Sequence, residues 1–520
     1  MTKTMTMNRR APHPLPTRAA WLVPLVAALA GCAAGPDFQR PSAPTVAAYT
    51  ADPPSAAALA AASAGARQGQ QLADAPVPAG WWQEFHNKPL DRLVARALAE
   101  SPTLAAAQAN LRQAEHAYAA AAGATRLPQL SAQLSAQRQG TNSAAMGLPG
   151  GERTFSLGNA GLALGYDFDL AGGNRRALEA LAAQTEYQSH QLAGARLTLA
   201  ATVVLTAITQ ARLTDQIAAT EKLIEVQAGQ LQITRERVAL GAASEAEALP
   251  LATQLDQTRA GLPLLHNQRE QTRHLLAVLG GTPPAAFDVP NFQLADFVLP
   301  PTLPLRVPSA LVRQRPDIQA SEALLHAASA QYGAAIARRY PQLTLSASVG
   351  AQALTAAGLF GPGSLVWGVG GQLAQPLFNP GLKANVRAFN AALEAAEANY
   401  KEVVLQSLRQ VADVLRTLES DALAEQSLES ASRSADQGLD LVERQHRLGA
   451  ASYLQLLLAQ QQALQTRLGV LDVQGRRLAN TVALYRAMGG GGEEASPPAP
   501  IGSRRDTAPP MRTTWADVSP

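Results

Sequence analysis

The 520-residue chain has one cysteine, Cys32, so no intramolecular disulfide can form. Charged residues make up only 16% and aromatics 5%, which argues against a core built on large rings and for alanine-rich helices packed at short range. Beyond the first 31 residues no stretch offers about 18 uninterrupted apolar residues, so a membrane crossing falls to strands rather than helices. Methionine is scarce: past the leader only Met146, Met488 and Met511 remain, and a methionine-lined path for soft metal ions is unsupported. The eight histidines include no His-Glu-x-x-His, and none makes a convincing metal-ligand pair with a carboxylate at helical spacing. Gly361–Gly363 and Gly368–Gly371 continue a strand pattern instead of opening a helix, so neither is a phosphate loop. No residue is assigned to catalysis, to a cofactor or to a metal, and an enzyme is the least supported class. The net charge of +3 is confined to the leader. Without Lys3, Arg9, Arg10 and Arg18 the remaining 39 basic residues face 40 acidic ones, which removes the case for nucleic acid.

What the leader does contain is specific. A basic start is followed by an apolar run from Trp21 to Ala30, about ten residues long, right for a signal-peptide core and too short to span a bilayer. Leu29-Ala30-Gly31-Cys32 then resembles a bacterial lipobox, in which the cysteine is lipidated and becomes the new N-terminus. Ala33, rather than Asp, follows it, and the resemblance implies the outer membrane. Residues 32–79, rich in Ala, Pro, Ser and Gly, are expected to be the lipidated residue and a flexible tether.

The body is written twice. Leu240-Gly241-Ala242-Ala243-Ser244 returns 208 residues later as Leu448-Gly449-Ala450-Ala451-Ser452. Each copy lies between two long helical stretches; the Gly stops one helix and the Ser caps the next, so each reads as the tip of a helical hairpin. Ser101-Pro102-Thr103-Leu104 is paralleled by Arg315-Pro316-Asp317-Ile318, and Leu127-Pro128-Gln129-Leu130 by Tyr340-Pro341-Gln342-Leu343. Offsets between 208 and 214 point to an internal duplication.

Four segments alternate with a two-residue period. Leu130, Ala132 and Leu134 alternate with Ser131, Gln133 and Ser135, and the even positions from Ala160 to Leu170 with Gly161, Gly165, Asp167 and Asp169. Leu343 to Val349 and Leu365 to Leu373 repeat the pattern, and Gly140–Arg153 reads as a polar loop. The apolar phase suits lipid; Asp167 and Asp169, in the polar phase, would face a wet lumen. Four strands cannot close a barrel and open edges are not tolerated in lipid, so several chains must contribute to one barrel. The helices are the opposite extreme. About 65 proline-free residues end at Leu240, and Ile217, Ile224, Leu231 and Val238 step by seven, as do Leu457, Leu464, Leu471, Leu478 and Tyr485. That is coiled-coil spacing.

The chain resembles the TolC-like outer-membrane efflux protein family, in its lipoprotein (NodT-type) subgroup associated with RND-type pumps. The resemblance rests on Leu29–Cys32 with Gly35-Pro36-Asp37-Phe38, on Trp81-Trp82 with Phe85, on the stretch from Pro308 to Ile318, and on both tips. It implies an α+β membrane protein: a homotrimer whose twelve-stranded outer-membrane β-barrel, four strands per chain, continues into a long periplasmic α-helical coiled-coil barrel. The expected order is a signal peptide (1–31), lipidated Cys32 and tether (32–79), a first repeat (80–280), a Pro-rich connector (281–308) in an equatorial region, a second repeat (309–488) and a disordered tail (489–520). The implied function is a passive duct from periplasm to exterior, with no cofactor other than the lipid on Cys32. A periplasmic adaptor protein would dock on Gly241, Ala242, Ala243, Ser244, Gly449, Ala450, Ala451 and Ser452, and an inner-membrane RND-type pump would supply the energy. Candidates for a periplasmic gate are Glu247, Arg444, Arg447, Asp436 and Asp440, with Gln455 where the family commonly has an acid. A TolC-like duct for secreted proteins and a non-conducting structural lipoprotein are the competing readings.

Overall fold

The computed structural model describes residues 33–53, 55, 59, 69–142, 147, 149, 151–286 and 289–490. Cys32, the signal peptide and most of the tail lie outside the described residues. The first half runs α1 (Lys88–Glu100), α2 (Pro102–Arg126), β2 (Gln129–Asn142), β3 (Glu152–Phe168), α3 (Gly173–Ala239) and α4 (Glu245–Leu279). The second half repeats that order as α5 (Pro308–Gln314), α6 (Pro316–Ala337), β5 (Gln342–Ala353), β6 (Leu365–Ala374), α7 (Pro380–Arg447) and α8 (Tyr453–Ala487). The corresponding long helices are 67 and 68 residues, and the helices after each tip are both 35. At ~1.5 Å per residue the longest are roughly 100 Å. Two short strands, β1 (Gln71–Ala73) and β4 (Thr302–Pro304), stand outside the repeat and pair in parallel.

The chain divides into two compact units. The unit built from the described parts of 1–39, 116–184 and 324–397 contains an antiparallel sheet of order β2-β3-β5-β6. Residues directly opposite in such a sheet share a face. The register sets Leu130 against Leu164, Leu162 against Val349, and Val349 against Trp367. On the other face it sets Ser131 against Ala163, Asp167 against Thr344, and Ser348 against Gly368. One face is therefore apolar across all four strands and the other small or polar. Trp367 is 75% exposed and Val369 76%. The strands also run further than the alternation suggested: Thr141 pairs with Arg153 and Asn142 with Glu152, so both ends of the expected loop 140–153 belong to the ladder. The polar side chains there compete poorly with a ladder already in register.

The second unit, from the described parts of 40–115, 185–323 and 398–490, holds the main hydrophobic core. Trp81 is fully buried and stacks on Tyr485 at 5.3 Å, with Phe85 edge-on to Tyr485 at 6.5 Å. Burial pushes the Tyr485 phenol well above its ordinary value. Helix α3 has one window apolar enough to cross a membrane, but Val203, Val204, Ala207 and Ala211 from it are buried in this core. The sequence Arg315-Pro316-Asp317 makes a clamp. Arg315 donates to both Asp317 carboxylate oxygens (3.0 and 2.6 Å), to Gln410 Oε1 on α7 (2.9 Å), and to the carbonyl of Ala487, the last residue of α8 (2.9 Å). It thereby satisfies one of the orphan carbonyls at that helix end. Burial opposes ionisation of Asp317, but Arg315 and the Ile318 N–H outweigh it and hold the carboxyl below its usual range.

Three expectations shift. The stretch 32–79 is not wholly a tether: Gln71–Ala73 pairs with Thr302–Pro304, Val77 is buried, and the Tyr49 hydroxyl donates to the Arg306 carbonyl at 2.5 Å. The connector 281–308 contributes that strand and buries Phe292, Leu294, Phe297 and Leu303, apolar residues without a period that sequence spacing cannot reveal. In α8 the heptad leucines Leu457, Leu464 and Leu471 are only half-buried, while Leu456, Gln460, Ala463 and Val473 are fully buried. The later heptad positions Leu478 and Tyr485 are fully buried, so the spacing by seven marks the seam only in the second half of the helix.

Replacing Arg315 with Ala strands the Ala487 carbonyl and the Gln410 amide, and we expect a loss of about 2–3 kcal/mol in thermal or denaturant unfolding. The Asp317 carboxyl, lowered in the folded state, stabilises fully above its unfolded pKa near 3.8 and loses that contribution as pH falls through the lowered value. Asp317→Asn should therefore flatten the acid limb of the stability profile while leaving its shape near neutrality unchanged.

Candidate functional site

The two tips share one backbone design. Gly241 (φ 72°) and Gly449 (φ 75°) take the left-handed conformation that a Cβ disfavours. Around them Gly241 N donates to Val238 O and Ala242 N to Arg237 O (2.9 and 2.7 Å), while Gly449 N donates to His446 O and Ala450 N to Gln445 O (3.0 and 2.8 Å). This pair of bonds closes a helix C-terminus by satisfying its last carbonyls. Ser244 and Ser452 then open the next helix with capping boxes. Glu247 Oε1 accepts from Ser244 N at 3.2 Å and Gln455 Oε1 from Ser452 N at 2.7 Å. Leu240 and Leu448, just before the glycines, are 84% and 85% exposed.

The six gate candidates sort by partner. Glu247 and Gln455 perform the same capping task, which an amide and a carboxylate do equally well. That explains why the Glu-to-Gln difference between the repeats leaves the tip geometry intact. Arg444 and Asp440 pair one turn apart on α7, both exposed, so the pair adds little to stability. Asp436 instead reaches across to α8 and accepts from Arg467 at 3.0 Å. Arg447 is exposed and forms no ion pair among the described residues.

Sequence reading missed two residues near the tips. Arg467 completes the cross-helix pair with Asp436. Tyr453, first residue of α8, packs on the cluster of Leu231, Ala248, Leu251 and Leu255 from the first hairpin, so it ties one tip to the other. Its hydroxyl is buried without a hydrogen-bond partner and burial pushes its pKa up to about 12. A Tyr directly after a cap Ser, where the first repeat has Glu245, was the available signal.

The strand carboxylates separate. Asp167 lies on the polar face and accepts from Thr344 Oγ1 at 2.7 Å. Asp169, expected to alternate with it as a lumen position, lies one residue beyond β3 and caps α3 instead. Its two oxygens accept from Asn174 N (3.0 Å) and Arg175 N (2.8 Å). The helix that starts at Gly173 presents unsatisfied N–H groups there, and a carboxylate answers both those donors and the helix dipole. Among the described residues no group of three or more His, Cys, Asp or Glu is placed to hold a metal ion.

The profile of the family described as "Outer membrane efflux protein" matches residues 93–282 and again 307–490. The chain is 32% identical to the pyoverdine export outer membrane protein OpmQ of Pseudomonas aeruginosa, over 79% of this chain and 87% of that one. It is 26% identical to the probable outer membrane lipoprotein SilC of Salmonella typhimurium, over 89% and 96% of the two chains. Among solved structures the outer-membrane channel OprN superimposes with a TM-score of 0.78 at 26% identity, covering 88% of this chain and 99% of that one.

If capping is what Glu247 contributes, Glu247→Gln leaves hydrogen-exchange protection of residues 244–248 unchanged. Glu247→Ala should lower it by about 1 kcal/mol. Faster exchange in the Gln variant would show that the charge itself matters.

Proposed function

The chain belongs to the outer membrane efflux protein family, and we propose that three copies form one conducting duct through the outer membrane. It is an outer-membrane efflux channel; the trimer, the barrel closure and the residue roles are the parts proposed. The observation that carries the proposal is the one-sided sheet with two unpaired edges, β2 and β6. An apolar face of this extent is not stable in water, and unpaired edges are not stable in lipid. Pairing β6 of one copy with β2 of the next resolves both, and three copies give twelve strands. The apolar bands from Ala160 to Phe168, Leu343 to Ala351 and Leu365 to Leu373 each span nine residues, the length that tilted strands need to cross a bilayer.

The repeated element order, and a family profile that matches once in each half, support an internal duplication. The paired hairpins supply the periplasmic helical barrel. The tips, with small residues and one exposed leucine each, are the surface offered to a periplasmic adaptor, and an RND-type pump in the inner membrane drives export. Cys32 carries the lipid, which Leu29-Ala30-Gly31 places at the processing site. In the gate the pair Asp436–Arg467 joins the earlier candidates, because it spans two helices of a hairpin.

Single-channel recording in a planar bilayer tests the duct. A trimer surviving in mild detergent, small openings in the wild type, and larger openings in Arg467→Ala or Arg447→Ala are expected. Folded, inserted protein with no conductance in any form would leave a structural lipoprotein as the answer.

A further inference from the structure

Every helix–strand junction of the sheet lies on one rim, because the four strands are antiparallel and their helix-linked ends meet there: Gln129 opposite Gly165, Phe168 opposite Leu343, Gln342 opposite Ala374. Each junction carries an exposed cation. Arg126 is the last residue of α2, Arg175 lies in the first turn of α3, Arg338 and Arg339 follow α6, and Lys383 lies in the first turn of α7. Arg175, Arg338, Arg339 and Lys383 form no ion pair among the described residues, and Arg126 rests on the Tyr118 ring and hydroxyl. Arg175 and Lys383 stand at helix N-termini, where the dipole disfavours positive charge. At α3 the Asp169 carboxylate offsets that dipole, while Lys383 stands at the equivalent place in the second repeat without an ion pair among the described residues.

The same rim exposes apolar side chains among the cations. Leu127 is 63% exposed, Tyr340 51%, and Leu377 and Phe378 93% and 92%. The opposite rim differs: residues 143–151 and 354–364 contain no charged residue, and only Arg138, Glu152 and Arg153 flank them.

A strap fixes which leaflet the charged rim meets. Ala34 N donates to Ala171 O at 2.8 Å, just past the end of β3. Buried Arg176 donates to the carbonyls of Ala34 (3.3 Å) and Gly35 (3.5 Å) and to Asp37 Oδ1 (2.5 Å). A Cβ on Gly35 would stand 2.6 Å from Gly333 Cα, so the strap lies against backbone, and Phe38 stacks on His326 at 4.4 Å. Ala34, two residues after Cys32, is thus hydrogen-bonded to this rim, and Ala33 lies against Gly172. Resting on the reading that Cys32 is lipidated and the sheet inserted, we propose that the rim is a collar binding the phosphates of anionic phospholipids in the leaflet that holds the lipid anchor. Cations meet the phosphates, and Leu127, Tyr340, Leu377 and Phe378 enter the acyl boundary. An acyl anchor gains firm attachment from a second, basic signal, and near an anionic surface each cation adds to the attraction.

The test reconstitutes the full lipidated protein in vesicles of phosphatidylcholine with phosphatidylglycerol and measures the ratio of the two lipids retained by the extracted protein, using native mass spectrometry. Wild type should be enriched in phosphatidylglycerol. The combined change Arg338→Ala, Arg339→Ala, Lys383→Ala should reduce the enrichment at least about fivefold. Arg338→Lys with Arg339→Lys should keep it, as should Arg138→Ala with Arg153→Ala on the other rim. Unchanged enrichment in the inserted triple variant overturns the collar. Loss of the trimer without any change in lipid ratio also overturns it, by assigning these cations to contacts between copies. Wild type that fails to insert in either composition removes the barrel reading, and the collar with it.

Discussion

In hydrocarbon no water answers a backbone N–H or C=O, so strands can cross a membrane only if every ladder is closed. This chain brings four strands whose register aligns all apolar positions on one side, and it stops with both edges open. An incomplete sheet of that kind is costly alone in either solvent, which is the physical ground for proposing that copies associate. In the proposed barrel the small, hydroxylated phase is the one that would face water.

The helical hairpins answer the same question of unsatisfied backbone by local means. A 67-residue helix satisfies its own interior and leaves the problem at its ends. At the tips a left-handed Gly closes one end and a Ser box opens the next, twice, with the same backbone bonds around the Gly. Away from the tips the carbonyl of Ala487 has an arginine, and the first turn of α3 has Asp169. The most specific sequence stretch of the chain, Arg315-Pro316-Asp317-Ile318, turns out to be such an end device. Its Arg closes a distant helix, its Pro starts α6, and its Asp holds the Arg in place.

What could be read from sequence was whatever repeats or alternates. The tips, the four strands, the long helices and their order were all legible because each depends on a period or a local stop signal. What could not be read depends on partners far away in sequence. Gln71–Ala73 looks like linker until Thr302–Pro304 lies beside it. Asp169 continues an alternation perfectly well on paper, and only the helix start at Gly173 ends the strand before it. Tyr453 and Arg467 carry contacts between helices, and no spacing rule distinguishes them from their exposed neighbours. For the candidate site this means that the tips' geometry was visible and their charge partners were not.

The seam between α7 and α8 shows why a few costly polar contacts are retained. Arg477 and Glu425 are buried to 1% and 0% and meet at 2.5 Å, yet Arg477 Nε and Nη2 and Glu425 Oε1 have no further partner. Removing two charges from water on those terms gains little or no stability over an apolar pair of the same volume. But a seam of alanine, leucine and valine presents nearly the same surface after a slip of seven residues, and over helices this long such slips are the nearest competing structures. An Arg that must meet one Glu has no equivalent position a heptad away. The ion pair therefore distinguishes one axial register of α7 on α8 from the next.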